Sequence, residues 1–443
     1  MKRIAALVGA AAITVAGLVG CSDSGSSAEG PNVYFLNFKP EQDAAYQEIA
    51  KIYTEETGVP VKVVTAASGS YEQTLKAEVS KSDAPTLFQV NGPAGLNTWE
   101  PYMADLTETD FAKAPNSDVP PLTSKENDSK VLGVPFTVEG YGIIVNEELF
   151  EKYTATAGAK VAALDEITSF ETLKEVADDI QAKAAELGIE GTFAATSLAS
   201  GEDWRWQTHL VNNPIEQEFQ DDGVTDKMDI NFKYNEEYKN LFDLYLTDST
   251  VEPTLAPSKA VSDSMADFAL GKAVMVQNGS WAWSQISDVS GNVAKEDKIS
   301  FIPLYMGLPD EANRGINVGT ENYLAVNNKV DEEDQQASID FANWLYTGDG
   351  MQYVIDKLGF IAPFEGFKDK GTPTDPLGKQ VAEAMQDSSV KTWPWTFQFM
   401  PSQQFKDDFG QDLAQYASGN LEWNEVVEGF KENWAAEKQA SWK

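Results

Sequence analysis

The sequence predicts an α/β protein built on a mostly parallel sheet. Three observations carry this. Short apolar runs alternate with amphipathic stretches after Pro31, those stretches start and stop at recognisable signals, and 443 residues suffice for two or three domains. Val33-Tyr34-Phe35-Leu36 reads as the first strand. A helix follows with Ala45, Ile49 and Ile52 on one stripe and Gly58 as its stop. Val61-Lys62-Val63-Val64 is the second strand. Ser70 and Gln73 form a capping box opening the next helix through Leu75 and Val79, and Leu87-Phe88-Gln89-Val90 is the third strand. In this β-α-β-α-β order ligands sit beyond the carboxyl ends of the strands, which singles out the loops at 37–41, 66–71 and 91–95. Residues 134–146 are long and extended with Gly140 and Gly142 in the middle. A helix over 168–187 opens on a Thr168-x-x-Glu171 box and stops at Gly188, and another carries Tyr238, Leu241, Phe242 and Tyr245.

Composition excludes several functions. Thirty-three basic against 70 acidic residues leave a formal net charge of −37, which repels nucleic-acid backbones and anionic lipid headgroups. One cysteine excludes a disulfide framework within the monomer and a thiolate metal cluster, and one histidine excludes a multi-His zinc site. The acidic run from Asp221 to Asp226 lacks the spacing of a calcium loop, so no metal is expected. What stands out is 11 Trp, a residue enriched where a flat apolar face meets a partly polar partner.

The start of the chain reads as an address. Lys2 and Arg3 precede an apolar stretch from Ile4 to Val19, too short and wrongly flanked for a transmembrane span. It ends at Leu18-Val19-Gly20-Cys21, followed by a Ser/Gly run. This resembles the bacterial lipobox, which implies a signal peptide over 1–20, lipidation at Cys21 and a flexible tether over 21–31.

Residues 265–283, MADFALGKAVMVQNGSWAW, read as a helix ended by Gly271, a buried strand over 273–276 and a tight Asn-Gly turn. Ser280 then caps a helix carrying two tryptophans. The stretch resembles the signature of the extracellular solute-binding proteins of carbohydrate ABC transporters, the broad group that includes maltose-binding protein. Leu132–Phe136 through Asn146–Phe150 is similar to that family's first inter-lobe crossover, and Phe341–Leu345 through Gly359–Pro363 to its late helices and last crossover. The resemblance implies a two-lobed periplasmic-binding-protein-like fold with a ligand cleft and three crossover strands, near 139–142, 301–304 and 359–362. Lobe 1 would be 32–141 plus 303–358, and lobe 2 would be 142–302 plus 359–443. It also implies a monomer without a cofactor that captures an oligosaccharide by hinge closure, delivers it to ABC permease subunits, and touches the membrane only through its lipid anchor. A surface-anchored glycoside hydrolase or a carbohydrate adhesin is the alternative, since two carboxylates ~5–10 Å apart suffice for hydrolysis.

A sugar site needs flat aromatics for its C–H faces and convergent polar groups for its hydroxyls. Trp281 follows the signature strand and is expected to stack on ligand, with core packing as the alternative; Trp283 is expected in the core. Of Trp204 and Trp206, which face different ways, Trp204 is assigned to the cleft. Trp393 and Trp395 flank Pro394 in a loop, where at least one is expected to touch sugar. The polar candidates are Lys39, Glu41 and Asn91 at strand ends, Glu139 on the first crossover, and Asn278 and Glu321 by analogy, each with a solvated or capping role as its alternative. Ser70 reads as a helix cap and Tyr71 beside it as able to reach the cleft. No Gly-x-Ser-x-Gly elbow accompanies His209, which reads as a structural or surface residue near Trp206.

Overall fold

The computed structural model describes residues 30–116 and 119–442. The expected signal peptide and Cys21 lie outside the described residues. Twelve strands fall into two sheets: β1 (Val33–Asn37), β2 (Val61–Thr65), β3 (Leu87–Asn91), β4 (Leu122–Thr123), β5 (Val131–Pro135), β6 (Glu139–Asn146), β7 (Gly191–Phe193), β8 (Ala273–Gly279), β9 (Ile299–Ile302), β10 (Arg314–Gly319), β11 (Asn322–Val326) and β12 (Lys391–Trp393). The first sheet has the order β2-β1-β3-β11-β5-β4, and the second β12-β10-β6-β8-β7 with β9 also on β6. Only β2-β1-β3 is the parallel unit expected from the opening pattern. β11, β5 and β4 join antiparallel, and β6 has antiparallel neighbours on both edges, so the sheets are mixed rather than mostly parallel.

Each sheet is sandwiched between helices. Alternate residues of β6 divide between two cores: Tyr141, Ile143 and Val145 enter the large aromatic core of the second lobe, and Ile144 faces the cluster around Met265 and Phe268. In the first lobe Val33, Phe35 and Leu87 face one core, while Leu36, Phe88 and Val90 face the other. The helix Asp43–Thr57 ends at a left-handed Gly58, as its sequence predicts. Its buried face is Tyr46, Ile49, Ala50 and Tyr53, rotated from the expected stripe because the two tyrosines outweigh Ala45 and Ile52 in apolar area. Two caps differ from expectation. Ser70 turns its hydroxyl back to the Ala67 carbonyl rather than onto the helix, and the later helix starts on Ser169, whose oxygen accepts from the Thr172 N–H. No helix among the described residues is long and apolar enough to cross a membrane.

The chain changes sheets three times, and two crossings are displaced from expectation. The first, at 136–138 between β5 and β6, adjoins the expected 139–142. The second is at 320–321 and not 301–304, because β10 pairs with β6 and β12 in the second sheet; residues 303–319 therefore go with that sheet. The third follows Phe367. Ile361 bridges Val138 beside the first crossing, but Phe360, Phe364 and Phe367 all sit in the first-lobe core. The chain reaches the second sheet only with the helix Pro376–Gln386, which packs on β6, β9 and β10.

The acids of 221–226 are used internally. Asp221 pairs with Lys233, Asp222 with Lys227, and Asp226 with the fully buried Lys438 of the last helix. Trp393 also departs from its expected role. It ends β12 opposite Asn317, is 1% exposed, and lies under the Arg314 guanidinium at 4.5 Å. A loop aromatic in the sequence is thus a core aromatic on a sheet edge. Trp393→Ala is expected to cost ~3–5 kcal/mol of stability through the cavity it opens. A denaturant melt measures this, and a loss under about 1 kcal/mol would contradict the core placement.

Candidate functional site

Between the two sheets lies a cavity of about 1140 Å³. Its second-lobe wall carries Trp204, Trp281 and Trp395, and two of these indoles rest on a glycine. Asn278 and Gly279 are not a tight turn as expected but continue β8 opposite Gly142 and Tyr141. Trp281 folds back over that strand: a β-carbon on Gly279 would stand 2.2 Å from the indole ring. Trp395 lies on β10 in the same way, its Cγ 2.6 Å from where a Gly319 β-carbon would be. Ser280 does not cap the next helix; its N–H donates to the Gly140 carbonyl on β6.

Arg205–Leu210 winds as a π-helix. Its i→i+5 hydrogen bonds bring residues five apart towards one side, whereas an α-helix at 3.6 residues per turn would set them about 140° apart. Trp204 and His209 thereby meet edge to face at 5.2 Å. His209 is not a surface residue. It stacks on Tyr141 at 4.3 Å, lies 5.5 Å from Trp281, and lines the cavity. Burial, followed by the positive charges of Lys406, Arg205 and Lys39, holds its pKa well below the ordinary range, so it is a neutral ring. Arg205 fixes the segment from below, donating to the Gln277 carbonyl of β8 at 2.9 Å and to Ser264 Oγ at 2.7 Å. Trp206 points the other way, into the core, where its indole N–H donates to the Ser197 carbonyl.

The first-lobe wall and the cleft floor are polar. Lys39 Nζ donates to both oxygens of Glu139 at 2.9 Å and lies 3.7 Å from Glu41. Burial disfavours the ammonium, but the Glu139 and Glu41 carboxylates outweigh it and its pKa is raised. Burial raises Glu41, although Lys39 opposes this, and it raises Glu321 as well. Asn322 Nδ2 donates to Glu139 Oε2 at 3.3 Å. Tyr71 lines the cavity, but its hydroxyl is engaged with β3, donating to the Gln89 carbonyl at 2.9 Å and accepting from the Gln89 N–H at 2.7 Å. Glu72 accepts from the Trp99 indole at 2.9 Å.

Of the sequence candidates, the fold gathers Lys39, Glu41, Tyr71, Asn91, Glu139, Trp204, Trp281, Glu321 and Trp395 around this one cavity. Two are elsewhere. Trp393 is in the core, and Asn278 is fully buried on the opposite side of β8, its amide on Met265 Sδ and its oxygen on the Gly279 N–H. Trp283 is half-buried against the cluster that holds Met265, near its expected place. Sequence reasoning missed His209, Asp203, Gln207, Glu72 and Lys406, which carry no motif and reach the cavity only through the fold.

The two walls touch at the cavity mouth. A β-carbon on Gly69 of the first lobe would stand 2.3 Å from the Gly201 carbonyl oxygen of the second, and both glycines hold positive φ, 67° and 78°. A second contact sets Gly92 against Gln398.

Asp203 lies against the helix Gln403–Ala417 where only glycine fits: a β-carbon on Gly410 would be 1.9 Å from its Oδ2. Burial, reinforced by Asp407 and Glu202, raises its pKa to about 7. An acid raised on folding contributes stability that is fully present below its unfolded value and is lost as pH rises through the folded one. The stability of Asp203→Asn relative to the wild type is therefore expected to increase between pH 4 and 7.5, by on the order of a few kcal/mol. Melting curves across that range check it, and a constant difference would contradict it.

Comparison with known proteins places the chain. The profile of the family described as bacterial extracellular solute-binding protein matches residues 48–429. No curated protein matches the sequence. Among solved structures, a chitin oligosaccharide binding protein is similar with a TM-score of 0.70 and 19% identity, over 94% of this chain and 100% of that one. The solute-binding protein RafE in complex with raffinose gives 0.68 and 17%, over 92% and 99%. A sugar transporter protein from Bacillus licheniformis in complex with stachyose gives 0.64 and 15%, over 91% and 100%.

Proposed function

Because this chain belongs to the bacterial extracellular solute-binding proteins, we propose that it captures an oligosaccharide by hinge closure, delivers it to the permease of an ABC importer, and performs no chemistry on it. The observation that carries the ligand class is the pairing of walls. Trp204, Trp281 and Trp395 lie 6.0 and 6.4 Å apart in succession on one side, and the carboxylates of Glu41 and Glu72 with the lysines Lys39 and Lys76 line the other. Flat rings suit the C–H faces of pyranoses and charged groups suit their hydroxyls. A volume of about 1140 Å³ exceeds the ~300–1,000 Å³ of small-molecule sites, which favours a short chain over a single sugar. The similar structures hold raffinose and stachyose in this fold. The contacts at Gly69 and Gly92 are where the lobes meet in the shut form.

A thermal-shift screen with raffinose, stachyose, maltose and chitin oligosaccharides tests this reading. A true ligand at 100 times its Kd stabilises the folded protein by ~2.7 kcal/mol, and no shift from any of the panel, or release of sugar products at enzyme-like rates, contradicts the reading. Trp281→Ala should weaken binding of the best panel sugar tenfold to several hundredfold, from lost stacking and lost apolar area, with little change in ligand-free melting. A large ligand-free destabilisation with normal affinity would return Trp281 to the core.

The protein is further proposed to act as a monomer held at the cell surface by acyl chains on Cys21. Two chains hold where one is marginal. Cys21→Ser should leave the protein uncleaved or released to the medium, and unchanged partitioning into detergent would overturn the anchor.

A further inference from the structure

Lys406 is costly in three ways. It is only 8% exposed, yet its ammonium has no carboxylate within 4.0 Å and no hydrogen-bond partner among the described residues. Its one close neighbour of note is the Phe397 ring at 5.8 Å. It also stands in the first turn of the helix Gln403–Ala417, where the helix dipole disfavours a cation. A mostly buried lysine whose ammonium opens onto a cavity with no ion-pair or hydrogen-bond partner is tolerated where it serves something outside the fold. Lys406 borders the cavity, opposite Glu72 of the first lobe and near Glu321 at the second crossing. Glu321 likewise has no ion-pair or hydrogen-bond partner for its carboxylate among the described residues.

We infer that Lys406 is a ligand-binding residue whose ammonium, together with the Glu321 carboxylate, brackets the hydroxyls of an uncharged sugar across the lobe boundary; this rests on the oligosaccharide reading above. Both groups line the cavity, and no ion pair within 4.0 Å joins them. A sugar hydroxyl between them can serve both: its oxygen accepts from the ammonium and its proton goes to the carboxylate. The same surroundings exclude an acidic sugar. Seven carboxylates and three lysines line the cavity, and Lys39 is already held by Glu139. An added uronate at Lys406 would share its ammonium with Glu72, Glu321 and Asp407.

The test uses the panel sugar that stabilises the wild type most, with digalacturonate as its acidic counterpart. Lys406→Met should weaken neutral-sugar binding about ten- to a hundredfold, the range for hydrogen bonds to a charged group. It should leave the ligand-free melting temperature unchanged or raised, since the ammonium makes no ion pair or hydrogen bond with the fold among the described residues. Glu321→Gln, which keeps an acceptor, should weaken binding less than Glu321→Leu. Normal affinity in Lys406→Met, or a lowered ligand-free melting temperature with normal affinity in Lys406→Gln, would make the lysine structural and overturn the inference. Tighter binding of digalacturonate than of any neutral sugar would overturn the ligand class while leaving sugar capture standing. A wild type that binds none of these compounds would sink the oligosaccharide reading itself, and the bracket with it.

Discussion

One buried carboxylate organises the junction of the two lobes. Glu139 is the first residue of β6, the strand on which the second sheet is assembled, and both of its oxygens accept from Lys39 at the end of β1. Asn322, at the start of β11 just after the second crossing, donates to the same group. A charge taken out of water must be matched, and removing one partner of such a pair typically costs about 3–5 kcal/mol. That requirement ties the end of the first strand and two crossings to one point. The aromatic wall is then set in place from β6 outward, because β8 and β10 both register against it.

The two walls are built by different means. In the second lobe the indoles of Trp281 and Trp395 rest on bare strand backbone at Gly279 and Gly319. Their orientation thus comes from the sheet itself and not from a flexible loop, which is the condition for a platform that keeps its shape when empty. In the first lobe the polar groups are held by one another, Glu72 by Trp99 and Lys39 by Glu139. Among the described residues, Lys406 and Glu321 stand apart from such pairings.

The opening β-α-β-α-β unit and the strand at 273–276 were legible because their apolar periods are local. So was the divergence of Trp204 and Trp206, since residues two apart on either regular element face different ways, although that rule does not say which of them lines the cavity. The crossings were less so. Residues 301–304 look like a strand that leaves its sheet, and nothing local reveals that β9 pairs with β6 and that β10 then returns to the same strand. Trp393 was misplaced because proline and clustered aromatics read as loop, while a three-residue edge strand leaves no periodic trace. That His209 lines the cavity was not legible for a different reason: the π-helical winding that aligns it with Trp204 has no sequence period of 2 or 3.6 to announce it. Lys406 and Asp203 needed the tertiary fold, because their meaning lies in what is absent or crowded around them.

The meeting of Gly69 with Gly201 is a contact of backbone on backbone, with no side chain from either lobe between them. Such a seam has no chemistry with which to tell one occupant from another. In the proposed hinge closure, its part is to limit how far the jaws travel. To swing a jaw equilibrium from 1:99 to 99:1, an occupant must favour the shut form by ~10⁴-fold, and all of that discrimination has to come from the interior. Under that proposal, a closure that always stops at this seam gives the shut protein the same outer silhouette for every cargo. The proposed permease would then read a yes-or-no message, occupied or vacant, and the identity of the cargo would stay private to the cleft.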